Sequence, residues 1–413
     1  MKRYVQVGCG SRGIFSYAVP MVKDYEDCAE LCGVYDINHK RAALVSEYVG
    51  KKIPVFEDFD EMLRVVKPDT VIITPKDCAH DEYAIRAMRA GCDVIVEKPL
   101  TTTFEKALEI ERVQKETGKE VIVTFNLRFH PLFKRIKELI ASGIIGKILS
   151  VHYEWMLDRS HGADYFRRWH RERQNSGSLM VHKSTHHFDL INWYLEEDPI
   201  EVNAFGTRRF YGSTREDHGE RCSKCPHAST CEFFKDYIHD PDMNRLYFSC
   251  EDVDGYYRDK CVFSEEIDIE DSVSVNVRYS GGAVMSYSLT AHSPYEGVNM
   301  VLNGTDGRLE ISVHNNTVKL FNQQGMTEIE MPKTGDEEHG GADIELRDRL
   351  FRDKDRPDPL MQMADLRAGM MSIGIGMAAN LSMKEGRRVA LGEFYKQLNK
   401  EEQSYGNSYL SKQ

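Results

Sequence analysis

The feature that most constrains how this chain folds lies at its start. The β-type run YVQV, residues 4–7, leads without a break into GCGSRG, residues 8–13. Gly8, Gly10 and Gly13 thus fall on a G-x-G-x-x-G spacing directly after a strand candidate. That spacing supplies a tight turn, a bare backbone that a diphosphate can approach, and a close helix–sheet contact. Free N–H groups and the dipole at the start of the next helix then favour an anion. Alone the pattern is weak, so its context carries the weight.

The context is consistent. Over residues 3–127 the short apolar runs YVQVG, ELCGVYD, DTVIIT, CDVIVE and EVIVTFN alternate with stretches of helical periodicity such as AHDEYAIRAMRAG. Strand–helix alternation of this kind predicts a parallel sheet with helices on both faces. The second run ends at Asp36. An acid there accepts from both ribose hydroxyls of NAD and repels a 2′-phosphate. His39, Lys40 and Arg41 follow at once and keep NADP open as the alternative. Gly8, Gly10, Ser11, Arg12, Gly13 and Asp36 are the expected dinucleotide contacts.

At 413 residues the chain exceeds a single core, which predicts two domains. The net charge of −12 and the lack of a polybasic block argue against nucleic-acid or anionic-membrane partners. No window approaches the roughly 18 apolar residues of a membrane span. The first strand begins too early to leave room for a signal h-region, so a cytoplasmic location is expected. Cys9, Cys28, Cys32, Cys78 and Cys92 are scattered in apolar surroundings and read as reduced core thiols.

The stretch HKSTHHFDLINW, residues 182–193, is the second concentration of chemistry. At helical spacing His182, His186, Asp189 and Trp193 line one stripe. A proton-transfer pair, a metal site or a solvated face all suit it. H-x-x-x-H with a nearby Asp would chelate a divalent ion, which makes a metal-assisted hydrolase or lyase one alternative.

Two further segments, ITPKDCAHDEYAIRAMRAG and VIVEKPLTTT, together with VGCGSRG, resemble the Gfo/Idh/MocA family of NAD(P)-dependent sugar and polyol oxidoreductases. The matching positions are Thr74, Pro75, His80, Gly91, Glu97, Lys98 and Pro99. FNLRFHP, with Asn126, Arg128, Phe129 and Pro131, is similar to the segment that leaves the first domain. His186 and Asp189 match the family's His–Asp motif, and VLNGTDGRLEIS and ADLRAGMMSIGIGMAANLSM also fit. The resemblance covers nearly the whole chain apart from about 210–265.

The resemblance implies a Rossmann domain over 1–127 and an α/β domain over 128–413, whose open, mostly antiparallel sheet often forms a homodimer or homotetramer interface. The second region agrees on its own terms: KILSVHYEWML, IEVNAFGTRRF, DSVSVNVRYS, AVMSYSLTAH, GVNMVLNG and TVKLFNQ read as strands. The implied activity is hydride transfer between NAD and a carbinol carbon of a sugar, polyol or glycoside. An NAD-using glycosidase with transient oxidation is the other form known among its relatives. Thr74, Pro75, His80, Glu97, Lys98 and Asn126 would lie on the cofactor side.

Lys98 follows the carboxyl end of a strand, where ligands of open α/β sheets collect, and can stabilise a developing alkoxide. His186 matches the family's catalytic histidine, and an imidazole titrating near neutrality suits removal of a hydroxyl proton. The family usually carries Asp where this chain has His182, so His182 is expected to be a modified relay partner. The segment DRSHGADYFRRWHRERQNSG mixes rings and polar groups as a carbohydrate site does. His161, Tyr165, Arg167 and Trp169 are its candidate substrate contacts, joined by Arg128, Lys183 and His187.

Cys222, Cys225 and Cys231 form a C-x2-C-x5-C array, with Cys250 and Cys261 following. The spacing reads as a structural zinc site with Cys261 as fourth ligand, against free thiols or a disulfide. The insertion that carries them is expected to cover the pocket or extend an oligomer contact.

Overall fold

The computed structural model describes residues 1–332 and 338–394; residues 395–413 of the expected second domain lie outside the described residues. Six parallel strands open the chain: β1 (Lys2–Val7), β2 (Ala29–Tyr35), β3 (Val55–Phe56), β4 (Thr70–Ile73), β5 (Asp93–Val96) and β6 (Val121–Val123). Their spatial order is β6-β5-β4-β1-β2-β3. All four residues of β4 are buried, as expected for strands covered by helices on both faces. The strand order reverses between β1 and β4. Such a reversal opens a crevice at the carboxyl ends of the two strands, which is where GCGSRG and TPKD emerge. The short edge strand β3 has no signal in the sequence pattern.

The second sheet contains β7 (Ile148–Asp158), β8 (Pro199–Thr207), β9 (Ser272–Tyr279), β10 (Val284–Ser293), β11 (Gly297–Gly304), β12 (Arg308–Ser312), β13 (Thr317–Asn322) and β14 (Gly325–Ile329). Strand β15 (Ala364–Asp365) returns to pair antiparallel with β6 of the first sheet, and β16 (Val389–Ala390) pairs with β8. The second sheet is antiparallel apart from the β7–β10 pair, and its order is β14-β13-β12-β11-β7-β10-β9-β8-β16. Strict alternation of buried and exposed residues in β9 shows one face packed and one turned outward.

The helix Leu366–Glu385 joins the two lobes. Met370 and Ile373 pack into the first core, and Ile375, Ala378 and Ala379 into the second. Gly376 lets this helix approach the Leu179–His182 turn: a Cβ there would lie 2.4 Å from the Met180 carbonyl oxygen. That contact fixes where His182 stands. No described helix is long and apolar enough to cross a membrane.

The chain between β8 and β9 is mostly loop, with short helical turns at Pro241–Leu246 and Glu251–Asp254. Cys222, Cys225, Cys231 and Cys261 all border one small space in it. The zinc expectation is nevertheless not supported: among the described residues no group of three or more His, Cys, Asp or Glu is arranged to hold a metal ion. The Arg167 guanidinium donates to Cys222 Sγ at 2.9 Å, and a cation in that position opposes a divalent ion. All ten cysteines are free.

Candidate active site

The crevice is built from the ends of β1, β2 and β4. Gly8 has φ +90°, and a Cβ on it would fall 2.5 Å from Pro75 N. A Cβ on Gly13 would fall 2.3 Å from the Gly8 carbonyl oxygen, so the turn and the first helix close up only with glycine there. Thr74 Oγ1 donates to the Gly8 oxygen at 2.7 Å and ties the two loops together. Asp36 accepts from Cys9 N at 2.6 Å and Asn38 N at 2.7 Å. Burial pushes its carboxyl up, and Arg41 beside it partly offsets this.

A cavity of about 1010 Å³ opens over these groups, lined by Gly8, Gly10, Ser11, Arg12, Asp36, Thr74 and Pro75. Trp169, Tyr247, Tyr256 and Arg258 close it from the other lobe. Its size, the cradle that a Cβ would fill, the helix start at Ser11 and the acid beside the ribose position all fit a dinucleotide.

Three residues expected at the cofactor instead brace the crevice. His80 places Nδ1 2.8 Å from the Pro99 oxygen and Nε2 3.4 Å from the Pro75 oxygen, so it pins the two strand-end loops. Glu97 accepts from Arg12 Nε at 2.7 Å and Tyr17 OH at 2.8 Å. Burial pushes the Glu97 carboxyl up, but Arg12 and Lys98 outweigh it and hold it below the usual range. Asn126 Nδ2 donates to Asp343 Oδ1 at 2.9 Å, and Asp343 also receives both Arg12 terminal nitrogens.

Beside the crevice lies a buried ionisable cluster. Lys98, just beyond β5, donates from Nζ to the His182 carbonyl oxygen at 3.2 Å. His182 Nδ1 lies 2.6 Å from Asp77 Oδ2, and both side chains are almost wholly buried. The His182 ring is flanked by His170 at 4.2 Å and by Tyr165 and Trp169 at 5.6 Å each, between ring centroids. Burial drives His182 well below its usual value, and the neighbouring Lys98 drives it lower. Burial drives Asp77 up, and Lys98 pulls it back. Lys98 itself is pulled down by burial despite Asp77 and Glu97.

Four candidate substrate residues meet at this cluster. Lys183 Nζ lies 5.0 Å from the Trp155 ring centroid and 6.0 Å from that of Tyr165. Burial, followed by the repulsion of Lys98, pulls it down to about 7. His161 holds Tyr165 OH at 3.0 Å through Nε2 and Glu296 at 2.8 Å through Nδ1. Trp169 stacks on His170 and lines the cavity.

The structure corrects several expectations. The stripe through His182 and His186 is broken: one helix ends at His182, and another runs Thr185–Leu195. Lys183 N and Ser184 N both turn back to the Leu179 oxygen, which offsets the two histidines. His186, the expected catalytic histidine, is buried and lies edge-on to Phe125, with ring centroids 6.1 Å apart, a contact that does not contradict that role. Asp189 is gripped by Arg128 at 2.8 and 2.6 Å, which takes Arg128 out of substrate contact. His187 packs under the second sheet against Tyr153, Trp155 and Tyr287. Arg167 is buried and spent on Cys222 Sγ and the Phe233 oxygen. The metal reading of the histidine helix fails for the same reasons as the zinc reading, since no ligand group forms among the described residues.

Asp77, His170, Tyr247 and Arg258 escaped the sequence reading. Asp77 stands in the quoted TPKD segment, three residues after Thr74, and was the one signal available.

The chain matches the model of an oxidoreductase family NAD-binding Rossmann fold over residues 2–125, and that family's C-terminal α/β domain over residues 137–391. The chain belongs to the Gfo/Idh/MocA oxidoreductase family. The Bacillus subtilis protein YteT, described as a candidate oxidoreductase, is 34% identical over 97% of this chain and all of its own length. An inositol 2-dehydrogenase of Rubrobacter xylanophilus is 27% identical over 43% of this chain and 48% of its own. A levoglucosan dehydrogenase, solved with NADH and levoglucosan, superposes with a TM-score of 0.69 at 19% identity, over 94% of this chain and 99% of that one. In this chain the Asp77–His182 pair stands beside Lys98.

Proposed function

We propose that this protein is an NAD-dependent dehydrogenase that moves a hydride between the nicotinamide and a carbinol carbon of a sugar, polyol or glycoside. The observation that carries this reading is the cluster Lys98–His182–Asp77, placed against the wall of a dinucleotide-sized crevice by Trp169. The bound nicotinamide supplies the hydride acceptor or donor. The chain's own residues handle the proton and the charge.

Burial and Lys98 disfavour the imidazolium form, so the neutral His182 ring keeps its proton on Nδ1 and presents Nε2 as the base. Nδ1 donates a hydrogen bond to the Asp77 carboxylate, which Lys98 favours against burial. Nε2 takes the hydroxyl proton as the hydride leaves carbon, and the Asp77 carboxylate stabilises the imidazolium that forms. Lys98 stabilises the negative charge that develops on the substrate oxygen. Tyr165 and Trp169 offer ring faces to sugar C–H groups, and His161 and Lys183 offer polar contacts. The relatives named as inositol and levoglucosan dehydrogenases support this substrate class. Self-association through the outer face of the second sheet belongs to the same reading, since Phe205 and Val284 stand exposed there at 70% and 48%.

A panel of sugars, polyols and glycosides is assayed for NADH absorbance with added NAD. Substrate-dependent NADH formation is expected. Glycoside cleavage without net NADH would replace this reading with the transient-oxidation one, and no turnover with any member of the panel would overturn both.

A further inference from the structure

We infer that the loop between β8 and β9 completes the cofactor site and sets its preference for the dinucleotide without a 2′-phosphate. The inference rests on the dinucleotide reading of the crevice. Lys40 and Arg41, the cations that follow Asp36, are the groups a 2′-phosphate would need. Both are engaged by acids of the inserted loop. Lys40 Nζ sits 2.7 Å from both Asp252 oxygens, an exposed pair. Arg41 is buried: its Nη2 donates to Asp254 Oδ2 at 2.9 Å, its Nε donates to the Leu246 oxygen at 3.1 Å, and its Nη1 lies 3.4 Å from Asp36.

Asp36 and Asp254 both border the cavity, so a 2′-phosphate placed there meets two carboxylates whose one shared cation is already neutralised. A ribose with free hydroxyls meets acceptors instead. The loop is locked in this place by Asn38 Nδ2, which donates to the Cys250 oxygen at 2.9 Å.

The same loop faces the diphosphate position. Tyr247 OH accepts from Ser11 N at 3.0 Å, and its oxygen is the atom nearest to a Cβ built on Gly10. That hydroxyl stands where an anion's oxygen would accept from the helix start. Arg258 stacks behind it, 4.2 Å from the Tyr247 ring centroid, and also borders the cavity. Its buried Nε has no hydrogen-bond partner. A donor of that kind is costly unless a ligand satisfies it. A diphosphate that displaces the tyrosine hydroxyl meets this guanidinium.

The test is titration of the full chain with NADH and with NADPH, read by nucleotide fluorescence rather than by turnover. Wild-type protein is expected to bind NADH at least tenfold more tightly. Asp254→Asn is expected to narrow that ratio at least fivefold by tightening NADPH, and Asp252→Asn, on the exposed surface, to narrow it less. Arg258→Met is expected to weaken both nucleotides about equally, by tenfold or more, with Arg258→Lys recovering part of the loss. Thermal melting establishes that each variant is folded. Binding of both nucleotides with ratios and affinities unmoved by these changes overturns the inference alone. Wild-type protein that binds neither overturns the dinucleotide reading with it.

Discussion

Asp77 and His182 face each other across the lobe boundary, with Oδ2 and Nδ1 2.6 Å apart and both residues buried. Asp77 rides on the loop after β4 of the first sheet, and His182 ends a helical turn pressed against the helix Leu366–Glu385. The pair therefore exists only when the lobes are assembled. Where the family resemblance leads one to expect Asp, this chain has His182, and Asp77 brings a carboxyl group to 2.6 Å from that ring.

Asp77→Asn tests that relationship. An amide can donate where the carboxylate can only accept, so the ring can turn its bare nitrogen toward residue 77 and lose the tautomer that catalysis needs. The expected result is a fall in kcat of roughly 10²–10⁴-fold, with NADH affinity changed less than about twofold. Turnover near the wild-type level would end the proposed role of the pair.

Lys98→Met removes the cation that favours the Asp77 carboxylate and depresses His182. Two consequences separate a catalytic role from a structural one. kcat falls by roughly 10² or more, and the acid limb of the pH–kcat profile moves upward, because His182 loses a repelling neighbour. A profile that keeps its shape at reduced amplitude would place Lys98 outside the proton chemistry.

Much of this was legible in short-range pattern. Gly8, Gly10, Gly13 and Asp36 sit where the G-x-G-x-x-G and strand-end spacing put them, because the constraint there is local backbone geometry. The six strand runs of the second lobe correspond to β7, β8, β9, β10, β11 and β13. Strand β14, exposed along most of its length, and the two-residue β3 leave no periodic signal. The helix break at Lys183 and Ser184 escaped for a different reason. Apolar periodicity runs through it, whereas the break is held by Ser184 Oγ meeting Tyr287 OH at 2.8 Å, a contact made across the fold. Asp77 with His182, and Arg167 with Cys222, are likewise long-range meetings that residue spacing does not encode.

The Arg128–Asp189 pair is bidentate and buried, and it anchors the start of the second lobe to the histidine helix. Removing one partner strands the other charge, so Arg128→Met is expected to cost about 3–5 kcal/mol in denaturant unfolding. The double change Arg128→Met/Asp189→Leu should recover much of that loss, because no lone charge remains. If the double variant is as unstable as the sum of the single variants, the two side chains act independently and the anchoring role is wrong.

Lys183 gives the chain a stability that depends on pH. In the folded protein burial, then Lys98, pulls it from about 10.5 down to about 7, whereas the unfolded chain keeps its proton to the higher value. Between those values the unfolded state binds more protons, so this group's contribution to stability rises with pH across the window and is least favourable below about 7. Lys183→Met removes the cost of burying the charge. The variant should melt above wild type at pH 6, by roughly 2–4 °C for each kcal/mol gained, and its advantage should shrink steadily as the pH approaches 10. Calorimetry of both proteins at pH 6, 8 and 10 reads the difference directly, and groups common to both cancel. An advantage that stays constant across that range would mean that Lys183 titrates alike in the folded and unfolded chain, and that its ammonium is solvated rather than enclosed by Trp155 and Tyr165.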